Sequence, residues 1–234
     1  MTSRLKASSP LSTSAVLSTN KPLVMGILVE GICGGNLIYM IITLNTAKHN
    51  WNYFLAIEKD LANLAQYIEF EESNLGTFWI ELAHILLSAS SEVDVIMKQL
   101  CSFLSDNTPL ENINQYKKII SEKMPELIEE KVFINRYWLT FTPWENWKNW
   151  TNPDWWSSYN NVKHHRNDCF KEANLQNTIN SVGALLISVA YYYKVAFSVE
   201  KWVDVNFKET FHNLEPESTF LKLSDQYYYS NLVV

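Results

Sequence analysis

The spacing of apolar residues along the chain predicts mainly α-helices. Between Trp51 and Ile68 apolar residues recur at intervals of three and four, with Glu58 to Asp60 on the opposite face. A longer apolar stripe that includes Ile80 predicts a helix from Thr77, as N-cap, through Phe103. A shorter amphipathic pattern predicts a further helix from Ile113 to Ser121.

Two more helical segments are predicted in the second half of the chain. Ser157 or Ser158 can cap a helix that runs to about Lys171. Apolar residues between Ala173 and Val199 follow the same helical spacing. The pattern leaves open whether these segments are two helices or one bent helix.

The segment between these two groups of helices has a different pattern. Residues 131–142 are rich in β-branched and aromatic residues, which is typical of strands. Five tryptophans follow, and Pro143 and Pro153 bracket a predicted loop. The tryptophans could stack on unpaired bases, but a hydrophobic minicore is the favoured interpretation. We therefore predict an all-α bundle of about five helices with a small Trp-rich, partly β insertion at about 125–155.

The first 49 residues are predicted to be an extension of a single domain formed by residues 50–234. Residues 1–20 have the Ser-rich composition of a mobile tail. The apolar stretch from Leu23 to Leu44 has about the length of a membrane span, but Glu30 and a Gly-Gly-Asn sequence interrupt it. We expect two short apolar segments packed on the body, or sequence upstream of the natural start, rather than a membrane anchor.

Composition limits the classes of function. Of the 234 residues 47% are hydrophobic, and the net charge is −6, so the chain can bury a core but is not suited to extended duplex binding. The three cysteines are far apart, which argues against a disulfide framework and favours the cytoplasm. No phosphate-binding glycine motif and no nucleophile-elbow motif occurs, so no cofactor is expected.

The strongest candidate site is the polar cluster that follows Trp155 and Trp156. On a helix, Asn160 pairs with His164 and Tyr159 pairs with Lys163. Neighbouring cations favour a neutral histidine, so His164 could act as a general base while Asn160 orients its ring. Together with Arg166, Lys163 could hold a phosphate. These four polar residues could support metal-independent cleavage of RNA. The same residues could equally form an ordinary solvent-exposed face of a helix.

Two acidic residues could support this cluster. Glu92, on the long helix, could reach it if the helices pack face to face, whereas Asp94 could simply pair with Lys98. Asp168 lies one turn after His164 and could form a ligand pair with it, as His165 could with Cys169. Neither pair has a partner motif elsewhere, so no metal site is predicted.

The order of these segments resembles the HEPN superfamily of all-helical prokaryotic proteins. The resemblance covers roughly residues 50–193. It consists of the long helix with Ser91-Glu92-Val93-Asp94, the aromatic insertion, the stretch from Trp155 to Arg166, and Ala173-Asn174-Leu175 opening a long apolar helix. Laid on this chain, the family's Arg, Asn and His motif falls on Tyr159, Asn160 and His164, so the chain looks like a divergent member that lacks the motif Arg.

This resemblance implies a function and partners. It implies an RNA-binding protein, with metal-independent endoribonuclease activity in a toxin-antitoxin or phage-defence system. His164 and Asn160 would be catalytic, Tyr159, Lys163 and Arg166 would contact RNA, and partners would include a second copy and an antitoxin. The alternative is a catalytically inactive helical module that binds a protein.

Overall fold

The computed structural model describes five parts of the chain, which are residues 30–33, 36–39, 47–105, 110–224 and 227–228. The predicted tail and most of the apolar stretch between Leu23 and Leu44 lie outside these residues. Inside that stretch the backbone forms two antiparallel strands, β1 (Glu30–Cys33) and β2 (Asn36–Tyr39). No strand was expected there, because its glycines and its uninterrupted apolar runs do not show the alternation of a half-buried strand.

The described chain is mostly helical, as the apolar spacing predicts. It contains seven helices, of which five have eleven or more residues. These helices are α1 (His49–Leu64), α2 (Ile80–Leu104), α3 (Ile113–Lys123), α4 (Asp154–His164), α5 (Arg166–Cys169), α6 (Leu175–Lys201) and α7 (Phe207–His212). A small antiparallel pair, β3 (Val132–Ile134) and β4 (Leu139–Phe141), lies in the predicted insertion.

Helices α2 and α6 form the centre of the core and run parallel to each other. Near their starts the Thr178 hydroxyl donates to the carbonyl of Leu82, at 3.2 Å. Further along both helices, the rings of Phe103 and Tyr192 lie 5.9 Å apart. Helices α1, α3 and α4 pack around this pair. Because α6 is buried on nearly every side, its sequence is apolar through several consecutive turns.

The C-terminal segment is fixed to α1 by a buried carboxylate. Glu58 was predicted to lie opposite the apolar stripe, but only 3% of it is exposed. Its carboxylate accepts hydrogen bonds from the amides of Phe220 and Leu221 at 3.0 and 2.8 Å, and from the Ser218 hydroxyl. The prediction was wrong because the partners that make burial of this charge possible are about 160 residues away in sequence.

The insertion contains a tryptophan minicore, as the favoured interpretation predicted. Trp144, Trp147 and Trp155 are buried, and the first two rings lie 4.3 Å apart. The indole of Trp155 donates to the carbonyl of Pro143, at 2.8 Å. Two other tryptophans of this region, Trp138 and Trp150, are exposed and do not belong to the minicore.

Three exposed tryptophans have an unusual backbone conformation. Trp138, Trp150 and Trp202 have φ values of 56°, 58° and 57°, in the left-handed region. Each residue directly follows a helix or a 3-10 turn, a position where glycine is usual because it has no Cβ to clash with the following carbonyl. The rings gain little from burial, since Trp138 is 93% and Trp202 80% exposed.

Two helix boundaries differ from the prediction. Helix α2 begins at Ile80, which is half exposed rather than inward, and Trp79 takes the N-cap position that Thr77 was expected to hold. The helix predicted to run to about Lys171 begins earlier, at Asp154, and ends at His164. At His165 the backbone leaves the helical region, with φ −133° and ψ 43°. The predicted segment is therefore a helix, a short helix and a 3-10 turn.

Helix α6 is, among the described residues, the one helix long and apolar enough to cross a membrane. Its most apolar window has a mean hydropathy of 1.5, and 78% of that window is buried within the protein. Buried core helices have the same length and composition, so this is weak evidence for a membrane span.

Candidate functional site

Helix α4 carries the predicted site and is held in place by its apolar face. Tyr159 and Val162 are buried against Ala83 and Leu86 of α2. Trp156 packs partly into the same cluster. This packing turns His164, on the opposite side of the helix, toward solvent, and Lys163 is exposed at the edge of the packed face beside Tyr159. Tyr159, at the position of the motif Arg, therefore belongs to the helix interface.

Two of the predicted site residues make contacts within the helix. The Lys163 ammonium group donates to the Tyr159 hydroxyl at 3.1 Å and lies 5.2 Å from the centre of its ring. The Asn160 amide donates to the carbonyl of Trp156, at 2.9 Å. The amide NH₂ of Asn160 thus bonds to the preceding turn of the helix and not to the ring of His164.

The end of α4 is exposed and cationic. Lys163, His164, His165 and Arg166 are four consecutive exposed residues, which we call the cationic end. The His164 imidazole forms no hydrogen bond with a described residue, and its ring centre lies 6.4 Å from that of His165. Because the helix breaks at His165, the expected pairing of His164 with Asp168 one turn later on the same helix is not formed.

Glu92 lies on α2 and is half buried. Burial raises the pKa of its carboxyl group. It forms no hydrogen bond or ion pair with the described residues of α4. Asp94 pairs with Lys98 at 2.6 Å, as the simpler interpretation predicted, and also accepts a hydrogen bond from the Tyr116 hydroxyl. The structure thus brings neither carboxylate to the cationic end.

A polar network beside the cationic end was not predicted. Asn161 donates to the Glu172 carboxylate at 2.9 Å. The Asn177 amide donates to the Ser158 hydroxyl and to the carbonyl of Glu172, at 3.0 and 2.9 Å. These bonds join α4 to the start of α6 across the short turn between them. Asn161 was overlooked because its partner is eleven residues away, beyond one helical turn.

Exposed aromatic side chains lie at the same end of the molecule. We call the exposed rings of Tyr67, Phe78 and Trp79 the aromatic ridge. The rings of Tyr67 and Trp79 lie 6.0 Å apart, edge to face. On its other side the ridge reaches Phe170, whose ring is 6.0 Å from that of Phe78. The run of three large apolar residues after Gly76 was the sequence signal that could have indicated this surface.

Two grooves occur among the described residues. One has a volume of about 550 Å³ and lies between α1 and α2, where it is lined by Tyr53, Asp60, Tyr67, Glu81 and His84 among others. The other has about 410 Å³ and lies beside α7, where it is lined by Lys208, Glu209, His212 and Tyr228 among others. Neither of these two grooves includes a residue of α4.

The thiols and possible metal ligands have separate environments. Within the described ranges, no group of three or more His, Cys, Asp and Glu side chains could hold a metal ion. Burial raises the pKa of Cys101 to about 12, and desolvation with the neighbouring Glu172 raises the pKa of Cys169. Both thiols are free. Neither has the depressed pKa that nucleophilic cysteines require.

Comparisons of the chain with protein families, with curated proteins and with solved structures found no match.

Proposed function

We propose that this chain binds RNA through the cationic end, as the resemblance to HEPN proteins implies. The observation that carries the proposal is the exposure of four consecutive cationic or histidine side chains, Lys163 to Arg166, at the end of α4. In a chain with a net charge of −6, such a local cluster is the feature expected of a surface that contacts phosphates.

The geometry supports different roles for the individual residues. Arg166 can donate two parallel hydrogen bonds to one phosphate, and Lys163 supplies a second charge that Tyr159 holds in position. His164 is exposed and forms no hydrogen bond with another described residue, so it is the candidate base for cleavage at the ribose 2′-OH. Asn160 would need to release the Trp156 carbonyl before it could orient that histidine.

The second candidate is the catalytically inactive helical module that binds a protein. It is favoured by the contacts of Tyr159 and Asn160, which are engaged in helix packing and in a bond within the helix. In this case His164 would be an exposed surface residue, and the cationic end would contact acidic side chains of the partner.

RNA binding is tested by fluorescence anisotropy with a labelled single-stranded RNA at several salt concentrations. The double variant Lys163→Ala/Arg166→Ala is compared with Lys118→Ala/Lys208→Ala, which removes the same charge from exposed lysines on other elements. We expect about tenfold weaker binding for Lys163→Ala/Arg166→Ala only. For this variant the slope of log K against log salt concentration should be smaller in magnitude by about 1.4, because each of the two lost phosphate contacts contributes about 0.7. Equal affinities for both variants would overturn the proposed site.

Cleavage is tested separately, by incubating RNA with wild type, His164→Ala and His212→Ala in the presence of EDTA. His212 is also exposed but lies on α7, so its variant controls for loss of an exposed histidine. We expect cleavage by wild type and by His212→Ala but not by His164→Ala. If all three proteins bind RNA and none of them cleaves it, the nuclease role is overturned and the proposed RNA binding is retained.

A further inference from the structure

We propose that the aromatic ridge is a stacking surface for unpaired bases, so that the RNA bound at the cationic end is single-stranded. This inference rests on the proposed function and adds the substrate class. Bases of any type stack on aromatic rings when they are not paired, whereas a duplex hides the faces of its bases. An exposed row of rings beside cations is therefore suited to a single strand.

Phe170 connects the ridge to the segment that follows the cationic end. Phe170, one turn after Arg166, contacts the ring of Phe78. The backbone between Phe78 and Trp79 is extended, so the two rings point to opposite sides, toward Phe170 and toward Tyr67. The start of α6 secures this arrangement, because the amide of Leu175 donates to the carbonyl of Thr77 at 2.9 Å.

The charges around the aromatic ridge indicate on which side of it the phosphates of the bound RNA lie. The cations Lys163 and Arg166 lie on the Phe170 side, with Lys171 exposed next to that ring. On the Tyr67 side, the carboxylates of Asp60 and Glu81 line the same groove as Tyr67. Phosphates are therefore expected along α4, and bases are expected to project from there over Phe78 and Trp79. Asp168 is the exposed carboxylate nearest to the cations in sequence.

The exposed rings of the ridge are neighbours rather than scattered side chains. Tyr67 is 71% exposed and Trp79 is 41% exposed, and their rings are in contact. Contiguous exposed apolar groups contribute little to folding and often mark an interaction surface. A protein partner would also cover apolar rings, but the adjoining cluster of cations complements a polyanion better than it complements a typical protein surface.

The inference is tested with a labelled 12-nucleotide single strand and a 12-base-pair duplex RNA. We expect wild type to bind the single strand at least tenfold more tightly than the duplex. Trp79→Ala should lose about tenfold in affinity for the single strand. Trp79→Phe retains a stacking ring and should keep most of the affinity. Trp138→Ala is the matched control, since that ring is more exposed but lies on the β3–β4 connection.

Stacking itself is measured with 2-aminopurine placed in the single strand, because the emission of this base falls when it stacks. We expect this quenching with wild type and with Trp79→Phe, and its loss with Trp79→Ala. The thermal midpoint of each variant shows whether the fold is intact. If Trp79→Ala is unstable, Tyr67→Ala provides the second measure, because it removes the exposed ring in contact with Trp79 and should also weaken binding of the single strand.

The outcomes separate this inference from the proposed function. If wild type binds neither RNA, both are overturned. If Lys163→Ala/Arg166→Ala weakens binding but Trp79→Ala does not, the proposed function is retained and base stacking is overturned. Equal affinity for single strand and duplex also overturns the inference. If Trp79→Ala keeps RNA affinity but loses a co-purifying protein, the ridge is a protein-binding surface and the inference is overturned.

Discussion

Replacing Glu58 by alanine should strongly destabilise the protein. The carboxylate is buried and accepts hydrogen bonds from the amides of Phe220 and Leu221 and from the Ser218 hydroxyl. A bond to a charged acceptor contributes about 1.5–3 kcal/mol, and a buried donor left without a partner costs about 1–3 kcal/mol. Since these contributions are not additive, we expect the free energy of unfolding to fall by about 3–5 kcal/mol in Glu58→Ala.

Urea unfolding followed by tryptophan fluorescence measures this change. Trp51 reports the same region, because its indole donates to the carbonyl of Pro216 at 2.9 Å. Glu58→Gln keeps one acceptor and the side-chain shape, so it should lose about 1–2 kcal/mol. Asp60→Ala, an exposed acid on the same helix, should change stability by less than about 0.5 kcal/mol. If the free energy of unfolding of Glu58→Ala differs from that of wild type by less than about 0.5 kcal/mol, the reasoning is refuted.

Three further predictions follow from single side chains. Trp202→Gly should raise the free energy of unfolding by about 1 kcal/mol, because glycine adopts φ 57° without a Cβ clash and little buried area is lost; a lower midpoint in urea would contradict this. Burial raises the pKa of the Glu92 carboxyl group, so this group holds its proton more tightly in the folded state than in the unfolded state. The contribution of Glu92 to stability is therefore fully present below its unfolded-state pKa and is lost as the pH rises through its folded-state pKa. Glu92→Gln should therefore be more stable than wild type at pH 7, with the difference vanishing below about pH 4, and equal pH profiles would be the contrary result. Cys101 is buried and its pKa is raised to about 12, so it should resist iodoacetamide at pH 8 until the protein unfolds. Cys169 is partly exposed but its pKa is also raised, so it should be modified slowly in the folded state; peptide mass spectrometry distinguishes the two sites, and modification of Cys101 as fast as that of Cys169 would contradict this.

The helices could be predicted from the sequence because their apolar residues follow the helical period. The extent of α6 was predicted to within two residues at each end, and the buried rings of Trp144 and Trp147 were expected from their clustering. These features depend on neighbours in sequence. The burial of Glu58 could not be predicted, because its partners belong to a segment about 160 residues away.

The candidate site was predicted in part. The exposed positions of Lys163 and His164 agree with a polar helix face, but the helix break at His165 was missed. Helical periodicity does not indicate where a helix stops when no Gly or Pro follows, and here the bond between Asn161 and Glu172 stabilises the turn. Trp202 was likewise unpredictable as a left-handed residue, because propensity favours glycine at such a position.

The parallel packing of α2 against α6 has a consequence during synthesis of the chain. Helix α2 ends at Leu104, and its main partner is complete only when Lys201 has been added, about 100 residues later. At roughly 5–20 residues per second, the nascent chain exposes the apolar face of α2 for on the order of 5–20 s. Helical proteins whose neighbouring helices are consecutive in sequence avoid this delay. During that interval the side of α2 that faces α6 lacks its partner, and such transiently exposed apolar surface favours aggregation of the incomplete chain.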